Sequence, residues 1–575
     1  MNEDYLLSRI IFEFKKQNYD RALTLCGENV NKNFNYIILN LKGLIFLKKN
    51  DYKNSELNFL LSIKFKNNFL DAYKNLYILY IKNNKNDLAI KTAKKIIEIE
   101  NNTNQNSIFN LAYAYEINKN FREAIKIYEE LEFNNYKNKI NLFTNLANCY
   151  FKIENISKAK NYYLKSFKQD KKNIISMNNL LFFYLKIQNE KMIELFYKKL
   201  KKTDNKSFIF KLNESIYFFI NGLIEKSISA LKNLITKNNN YHALNIISQI
   251  YANIGDLKNA EYYTKIALKN YPSDETRFSN GIFQLINGNF NEGWKSYELR
   301  NFKFKDSSFD HIKNWENENL TYSSILVISE QGVGDVLQFS KFLLKLSPMC
   351  KKIDFILFDK LLPIYKKKFK NINFIKKSEA LTKKYDYKIY IGSLNKFFYN
   401  KKITSAENLI FFNYKKKKEW EKNLISRKKN IGLIWSGNIF GPNEPFRSIK
   451  LDKFENLLKL NANFFSLQNE IWDRDKIFFN KSNIIDLSRN NFDDILAIIQ
   501  NLDLVITIDT SFVHLACLCK KETWLLLSTN PDWRWFKYYE LNPYQNLKIF
   551  RQTDFNNWDK VIDLLENDLK KKLNC

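Results

Sequence analysis

The sequence predicts an α-solenoid over its first half, followed by two doubly wound, Rossmann-like α/β lobes. Three observations carry that expectation. A motif built around a small residue recurs every 33–35 positions from residue 22 to residue 293. All nine Trp and six of the seven Pro fall at or beyond residue 294, and chain without Pro and nearly without Gly is what long helical stretches tolerate best. Beyond residue 320, apolar β-rich runs alternate with amphipathic helical stretches, the pattern of parallel sheets covered on both faces.

In the first half, the segments NYDRALTL, DYKNSELNF, KNDLAIKTA, NFREAIKIY, NISKAKNYY, NEKMIELFY, LIEKSISAL, DLKNAEYYT and NFNEGWKSY align on Ala22, Ser55, Ala89, Ala124, Ala159, Met192, Ser227, Ala260 and Gly293. Small residues belong where two helices cross closely, and the aromatics just after them fill the neighbouring groove. A second small residue falls twelve positions earlier in several repeats, at Gly43, Ala112, Ala147 and Gly281. Asn or Gly marks the inter-helix turns in INKNF, ANIGD and INGNF, and Pro272 ends one repeat. A period near 34 with these marks resembles the tetratricopeptide repeat family, two antiparallel helices per repeat. The resemblance implies about nine helix pairs over residues 1–300 and a groove that takes peptide or protein. Met192 breaks the small-residue rule, so that repeat is expected to pack less tightly.

In the second half, the strand candidates are 323–329, 352–358, 387–392, 430–437, 463–468, 504–509 and 523–528. The Lys-rich stretch 411–429 separates two sets of them. The expected division is a repeat array over 1–300, a linker over 301–320, a first lobe over 321–410, an inter-lobe linker over 411–429 and a second lobe over 430–575. A ligand cleft is expected between the lobes. The last helical stretch, WDKVIDLLENDLKKKL, is amphipathic and should pack back on the lobes.

Composition excludes several classes. Hydrophobic residues make up 45 %, enough for sizeable cores. No run approaches the ~18 uninterrupted apolar residues of a spanning helix. The start, MNEDYLLSRIIFEFKKQ, lacks the apolar core of a secretory signal. Six scattered cysteines (Cys26, Cys149, Cys350, Cys517, Cys519, Cys575) are no disulfide framework, which points to a reducing, cytoplasmic home. The net charge is +31. Lys is spread along the chain rather than gathered into a block, so codon bias explains the charge better than a nucleic-acid partner; peripheral contact with an anionic membrane stays open.

Three segments could carry chemistry, each just after a strand. In ILVISEQGVGDVLQF, Gln331, Gly332 and Gly334 form a turn and Asp335 opens a helix whose free N–H groups face the expected cleft. By pattern alone, capping that helix is the better-supported role for Asp335. In GLIWSGNIFGPNEPFRSIKL, Arg447 and Ser448 follow a Gly/Pro/Asn loop, and an Arg aimed into the cleft can hold a diphosphate. In LDLVITIDTSFVHLACL, Asp509, Thr510 and Ser511 start a helix that carries His514 one turn on. That arrangement offers phosphate both hydroxyl and N–H donors. His514 fits a core or capping role equally.

Together SEQGVGDVLQF, IWSGN…RSI, FFSLQ, NNFDDILAIIQNLDLVITIDTSFVHLA, TWLLLSTNPDWRWF and FRQ…WDKVI, in this order, resemble the ADP-heptose lipopolysaccharide heptosyltransferases (glycosyltransferase family 9) and their relatives fused to tetratricopeptide repeats. GW-x-x-YE-x-R (Gly293, Trp294, Tyr297, Glu298, Arg300) resembles the usual junction in such fusions. The resemblance implies a two-lobed GT-B fold, a nucleotide-sugar substrate held by the C-terminal lobe, no cofactor and no required metal. It makes Asp335 the general base, worth roughly 10²–10⁴-fold. It makes Asp509, Thr510, Ser511 and His514 the donor-phosphate loop, with Ser511 standing where the family usually has Gly or Ala. Arg447 would stabilise the leaving diphosphate. Trp533, Arg534 and Trp535 either flank the cleft or form a buried plug against the last helix.

Two patterns imitate metal sites. Asp473-Arg474-Asp475 has D-x-D form but lies in a polar stretch after FFSLQ. His514, Cys517 and Cys519 are spaced so that a helix cannot turn all of them to one face. The function expected is therefore metal-independent transfer of a sugar to a hydroxyl acceptor, glycan or protein, chosen by the repeat array. The rival is a non-catalytic protein-binding scaffold with a degenerate GT-B half. Protein O-GlcNAc transferases share only the architecture, repeats joined to GT-B.

Overall fold

A computed structural model describes residues 3–27, 35–238, 240–303, 308–399, 409–424, 427–441, 443–487, 491–536 and 544–573. Among the described residues, eighteen α-helices run from Glu3–Lys15 to Phe290–Tyr297, and ten strands follow. The chain is a tetratricopeptide-like solenoid followed by two α/β, Rossmann-like lobes. It divides into two compact units, Met1–Leu185 with Asn189–Phe210, and Lys186–Gln188 with Lys211–Cys575. The last helix pairs, from Lys211 onward, therefore share a compact unit with the sheets.

The small residues do what close crossing demands. Ala22, Ser55, Ala89, Ala124, Ala159, Ser227 and Ala260 are fully buried. A Cβ on Gly43 would meet the Phe59 ring at 2.5 Å, and one on Gly293 would meet Leu285 Cδ2 at 2.6 Å. Ser55 Oγ donates to Gly43 O at 2.8 Å, and Ser227 Oγ to Ser215 O at 2.6 Å, each twelve residues back. The turn inside each helix pair holds one left-handed residue: Gln17, Asn50, Asn84, Lys119, Glu154, Gln188, Gly222, Gly255 and Gly288. Only three of these are Gly, so the repeat geometry imposes φ > 0 on side chains that would not choose it.

The alignment on Met192 is corrected. Met192 is only half-buried, while Ile193 is buried, and Ile193 lies four residues after the capping Asn189, as Ala159 does after Asn155. The true crossing residue is thus Ile193. Its bulk stands where the other repeats have Ala, Ser or Gly.

In the second unit, β1 (Ser324–Ile328), β2 (Lys352–Ile356), β3 (Asn373–Ile375) and β4 (Tyr387–Tyr390) form a parallel sheet in the order β3-β2-β1-β4. β5 (Lys429–Ile434), β6 (Ala462–Ser466), β7 (Ile485–Asp486), β8 (Leu504–Ile508), β9 (Thr523–Leu527) and β10 (Leu547–Arg551) form a second, in the order β10-β9-β8-β5-β6-β7. Every pairing is parallel. The strand order reverses between β1 and β4 and between β5 and β8. Ligand crevices of doubly wound sheets open at such points, beyond the carboxyl ends of the strands.

β3, β7 and β10 were not among the expected strands. The two expected linkers are also structured. Residues 308–320 belong to the first lobe: Asn314 bridges Lys388 of β4, and Trp315 is buried against Phe397; residues 304–307 lie outside the described residues. Within 411–429, Tyr414–Leu424 is a helix anchored by Lys416 on Asp493 and Asp494 and by the Trp420 indole on Asp494; residues 425–426 lie outside the described residues, as do 400–408 of the first lobe. The last helix, Asp559–Leu573, packs on the second lobe through Val561, Ile562, Leu565 and Leu569.

Candidate functional site

The loops after β1, β5 and β8 line one cleft of about 400 Å³ between the two sheets. From the first lobe come Gly332, Gly334 and Asp335; from the second come Arg447, Asp509, Thr510, Ser511, His514 and Arg534. The two helices that open on it meet closely: a Cβ on Gly334 would lie 3.4 Å from both Ser511 Cα and His514 Cδ2. A methyl at Gly334 would sit there in ordinary van der Waals contact, so helix Val333–Phe339 lies directly against helix Ser511–Leu518.

Asp335 does two jobs. Its Oδ2 accepts from the Gly332 N–H at 2.9 Å, closing the first turn of its own helix. Its Oδ1 is ion-paired with Arg534 across the cleft. Arg534 is held from its other side by Asp532 at 2.9 Å and lies over the rings of Phe339 and Trp533. Burial opposes the Arg534 charge, but Asp532 and Asp335 keep it firmly protonated.

Thr510 caps helix Ser511–Leu518 by accepting from the Phe512 N–H at 3.3 Å. Burial, and then the neighbouring Asp532, push the Asp509 carboxyl above its ordinary range. Arg447 reaches the same loop, its Nη1 donating to Asp509 O at 3.0 Å, while its Nε is paired with Glu444 at 2.6 Å. His514 is 5 % exposed. Its ring stacks on Trp535 at 5.7 Å and its Nδ1 meets Tyr544 Oη at 3.0 Å. Burial, with Arg534 and Lys341 adding repulsion, pushes its pKa down to about 3. The ring is therefore neutral at physiological pH and can offer a hydrogen bond to a phosphate, not a charge.

Two expected site residues lie elsewhere. Gln331 takes the left-handed region at φ 58° and directs its amide to Tyr297 Oη at 3.1 Å, so it serves the junction with the last repeat helix. Ser448 is buried, and its Oγ accepts from the Gly437 N–H at 3.0 Å, holding the turn after β5. The Trp533–Trp535 segment divides its roles. Arg534 lines the cleft, whereas Trp533 packs on Trp294 at 5.2 Å and Tyr297 at 5.7 Å, a plug against the last repeat helix and not the C-terminal one. Asp475 of the D-x-D pattern is buried, accepting from the Trp435 indole at 3.1 Å and the Leu451 N–H at 3.0 Å, which is a structural role.

Gln468 of FFSLQ was not singled out as a site residue. Its amide accepts from the N–H groups of Trp435 and Ser436 at 3.2 Å and donates to Ser436 O at 2.6 Å, fixing the end of β5 at the cleft wall. At the junction, Arg300 is 1 % exposed and grips Glu330 just after β1. It also reaches Glu298 at 2.9 Å and Ser393 at 2.7 Å. The GW-x-x-YE-x-R motif thus ties the last repeat to the loops that follow β1 and β4.

These features define a class: a helical repeat array joined to a two-lobed α/β unit with a cleft between its sheets. Comparisons reach the helical part. A family model for the coatomer epsilon subunit matches residues 13–219, ending before β1. No curated protein matches the chain. A tetratricopeptide repeat protein from Parabacteroides merdae is 15 % identical, covering 48 % of this chain and 96 % of that one with a TM-score of 0.30. MamA MSR-1 is 20 % identical over 29 % of this chain and 95 % of that one, TM-score 0.26. The quorum sensor NprR from B. thuringiensis, in its apo form, is 13 % identical over 46 % of this chain and 86 % of that one, TM-score 0.38. At such identities and scores these likenesses carry nothing about partners or activity. No helix among the described residues is long and apolar enough to cross a membrane.

Proposed function

We propose that the protein is a GT-B glycosyltransferase that moves a sugar from a nucleotide-sugar to a hydroxyl acceptor without a metal, its repeat array holding a protein or glycan acceptor. The observation that supports this is the convergence of Asp335, Arg447, Thr510, Ser511, His514 and Arg534 on one cleft at the switch points of both sheets. The start of helix Ser511–Leu518 and Arg447 offer donors to a diphosphate. Charge developing on the leaving diphosphate would be stabilised there by donors already in place. Asp335 can act as a base only if Arg534 releases it. An arriving diphosphate supplies the competing anion, so donor binding would free Asp335 before the acceptor hydroxyl is deprotonated.

A second reading has its own support. Both Asp335 oxygens are engaged and the Arg447 charge is met by Glu444, as suits a scaffold that has lost turnover. Calorimetric titration with nucleoside diphosphates and a turnover assay with nucleotide-sugars separate the two. The enzyme reading expects Arg447→Ala and His514→Ala to weaken diphosphate binding about tenfold or more. It expects Asp335→Asn to lower turnover without weakening diphosphate binding, since the change also frees Arg534. Unchanged affinity in both of the first two variants overturns the donor assignment. Binding without turnover of any nucleotide-sugar selects the scaffold.

A further inference from the structure

The segment that carries Arg447 is held from outside the lobes. Phe446, the residue before it, packs edge-on against Phe219 with centroids 5.0 Å apart, and Phe219 stacks on Phe555 at 4.7 Å. Phe446 and Phe555 close the triangle at 4.9 Å. Phe219 lies near the end of the repeat helix Phe208–Ile220 and is 4 % exposed.

A second repeat reaches the same segment by polar contacts. Asn253 ends helix Tyr241–Asn253. Its carbonyl accepts from Thr529 Oγ1, and its side chain accepts from Asn530 Nδ2 at 3.3 Å. Asn530 in turn exchanges bonds with Asn443, at 3.2 Å and 2.8 Å. Asn443 begins the turn that ends at Arg447: its carbonyl accepts from the Phe446 N–H at 3.0 Å and the Arg447 N–H at 3.3 Å. One end of this short turn, the Phe446 ring, thus packs directly on a repeat helix, and the other, the Asn443 side chain, is linked to a second repeat helix through Asn530.

We infer that the repeat array completes the donor side of the cleft, with Phe219 and Asn253 as positioning residues for Arg447. This deepens the donor reading above and rests on it. The physical reason is that Arg447 is long and carries several rotatable bonds. A guanidinium holds a diphosphate well only when its backbone is already placed, because the cost of ordering it then falls on folding and not on binding.

The test uses the full-length chain with Phe219→Ala and Asn253→Ala; the second removes only a half-buried side chain and safeguards against a folding defect in the first. Calorimetric titration with ADP, GDP, UDP and dTDP reads affinity, and hydrogen exchange reads the Phe446 and Arg447 amides. The expected result is about tenfold weaker binding of the preferred diphosphate in Phe219→Ala and a smaller loss in Asn253→Ala, which keeps the backbone bond to Thr529. No further loss is expected when either change is added to Arg447→Ala, and exchange at both amides should be faster. Equal loss with and without Arg447, or a lowered melting temperature at unchanged affinity and exchange, overturns the inference. If the wild-type chain binds no diphosphate, the donor reading fails; exchange then decides the positioning claim alone, faster exchange supporting it and unchanged protection overturning it.

Discussion

Replacing Arg300 by Met should strip the first-lobe loop of its anchor and cost about 3–5 kcal/mol, the range for removing one partner of a buried ion pair. The structure sets the size. Arg300 and Glu330 side chains are 1 % and 5 % exposed. Arg300 Nε alone lies 2.9 Å and 3.1 Å from the two Glu330 oxygens, and Nη1 adds the Tyr297 carbonyl at 3.1 Å. Without Arg300, the Glu330 carboxylate keeps, among the described residues, the Gly392 N–H at 3.2 Å as its hydrogen-bond donor. Burial already pushes the Glu330 pKa above its ordinary 4.5, with Arg300 opposing that rise, so the variant should push it further. A carboxyl whose folded value exceeds its unfolded value binds more protons when folded, so acid favours the fold. The deficit should therefore be largest near neutral pH and shrink as pH falls toward 4.5. Urea unfolding followed by tryptophan fluorescence measures this, since all nine Trp lie from residue 294 onward. The double variant Arg300→Met with Glu330→Gln should recover most of the loss. A deficit under about 1 kcal/mol at pH 7, or one that grows on acidification, refutes the reasoning.

Three further outcomes are expected. Gly293→Ala places a methyl 2.6 Å from Leu285 Cδ2 and 3.1 Å from the Leu285 backbone nitrogen, and should lower stability by about 1–3 kcal/mol, read by thermal unfolding. Lys341 is 2 % exposed and lies over the Phe342 ring at 5.1 Å, with burial lowering its pKa to about 8. Lys341→Met should stabilise the protein by roughly 1 kcal/mol at pH 7. Because the unfolded amine holds its proton to higher pH, wild-type stability rises between pH 8 and pH 10.5 and the gain should fade over that window in a pH series of melts. For His514, folded near 3 against an ordinary 6.5, stability should fall as pH drops below 6.5, by up to about 1.4 kcal/mol per unit, and His514→Gln should remove that slope in urea titrations at pH 5 and pH 7.

Local patterns were legible where one residue answers one local demand. The near-34-residue spacing located the crossing residues, because a helix crossing tolerates only a small side chain. It slipped by one at Met192 because Ile193 breaks that rule, leaving spacing alone to guide the alignment. The longer strands could be read from their apolar runs. β3 and β7 are too short to show periodicity, and β10, LKIFR, has only one buried residue. The Lys-rich stretch 411–429 read as a linker because its helix is mostly charged: Leu424 and Trp420 reach the core, and ion pairs from Lys416 add to that anchorage.

The order of residues along the chain determined the repeat array, the two parallel sheets and the glycine turns that open after β1 and β5, because each depends on backbone freedom and side-chain size within a few residues. Tertiary structure alone decided that Asp335 faces Arg534, 199 positions away, that His514 stays neutral and that Gln331 and Ser448 turn from the cleft. Those outcomes depend on which distant groups share a desolvated space, and no local pattern records that.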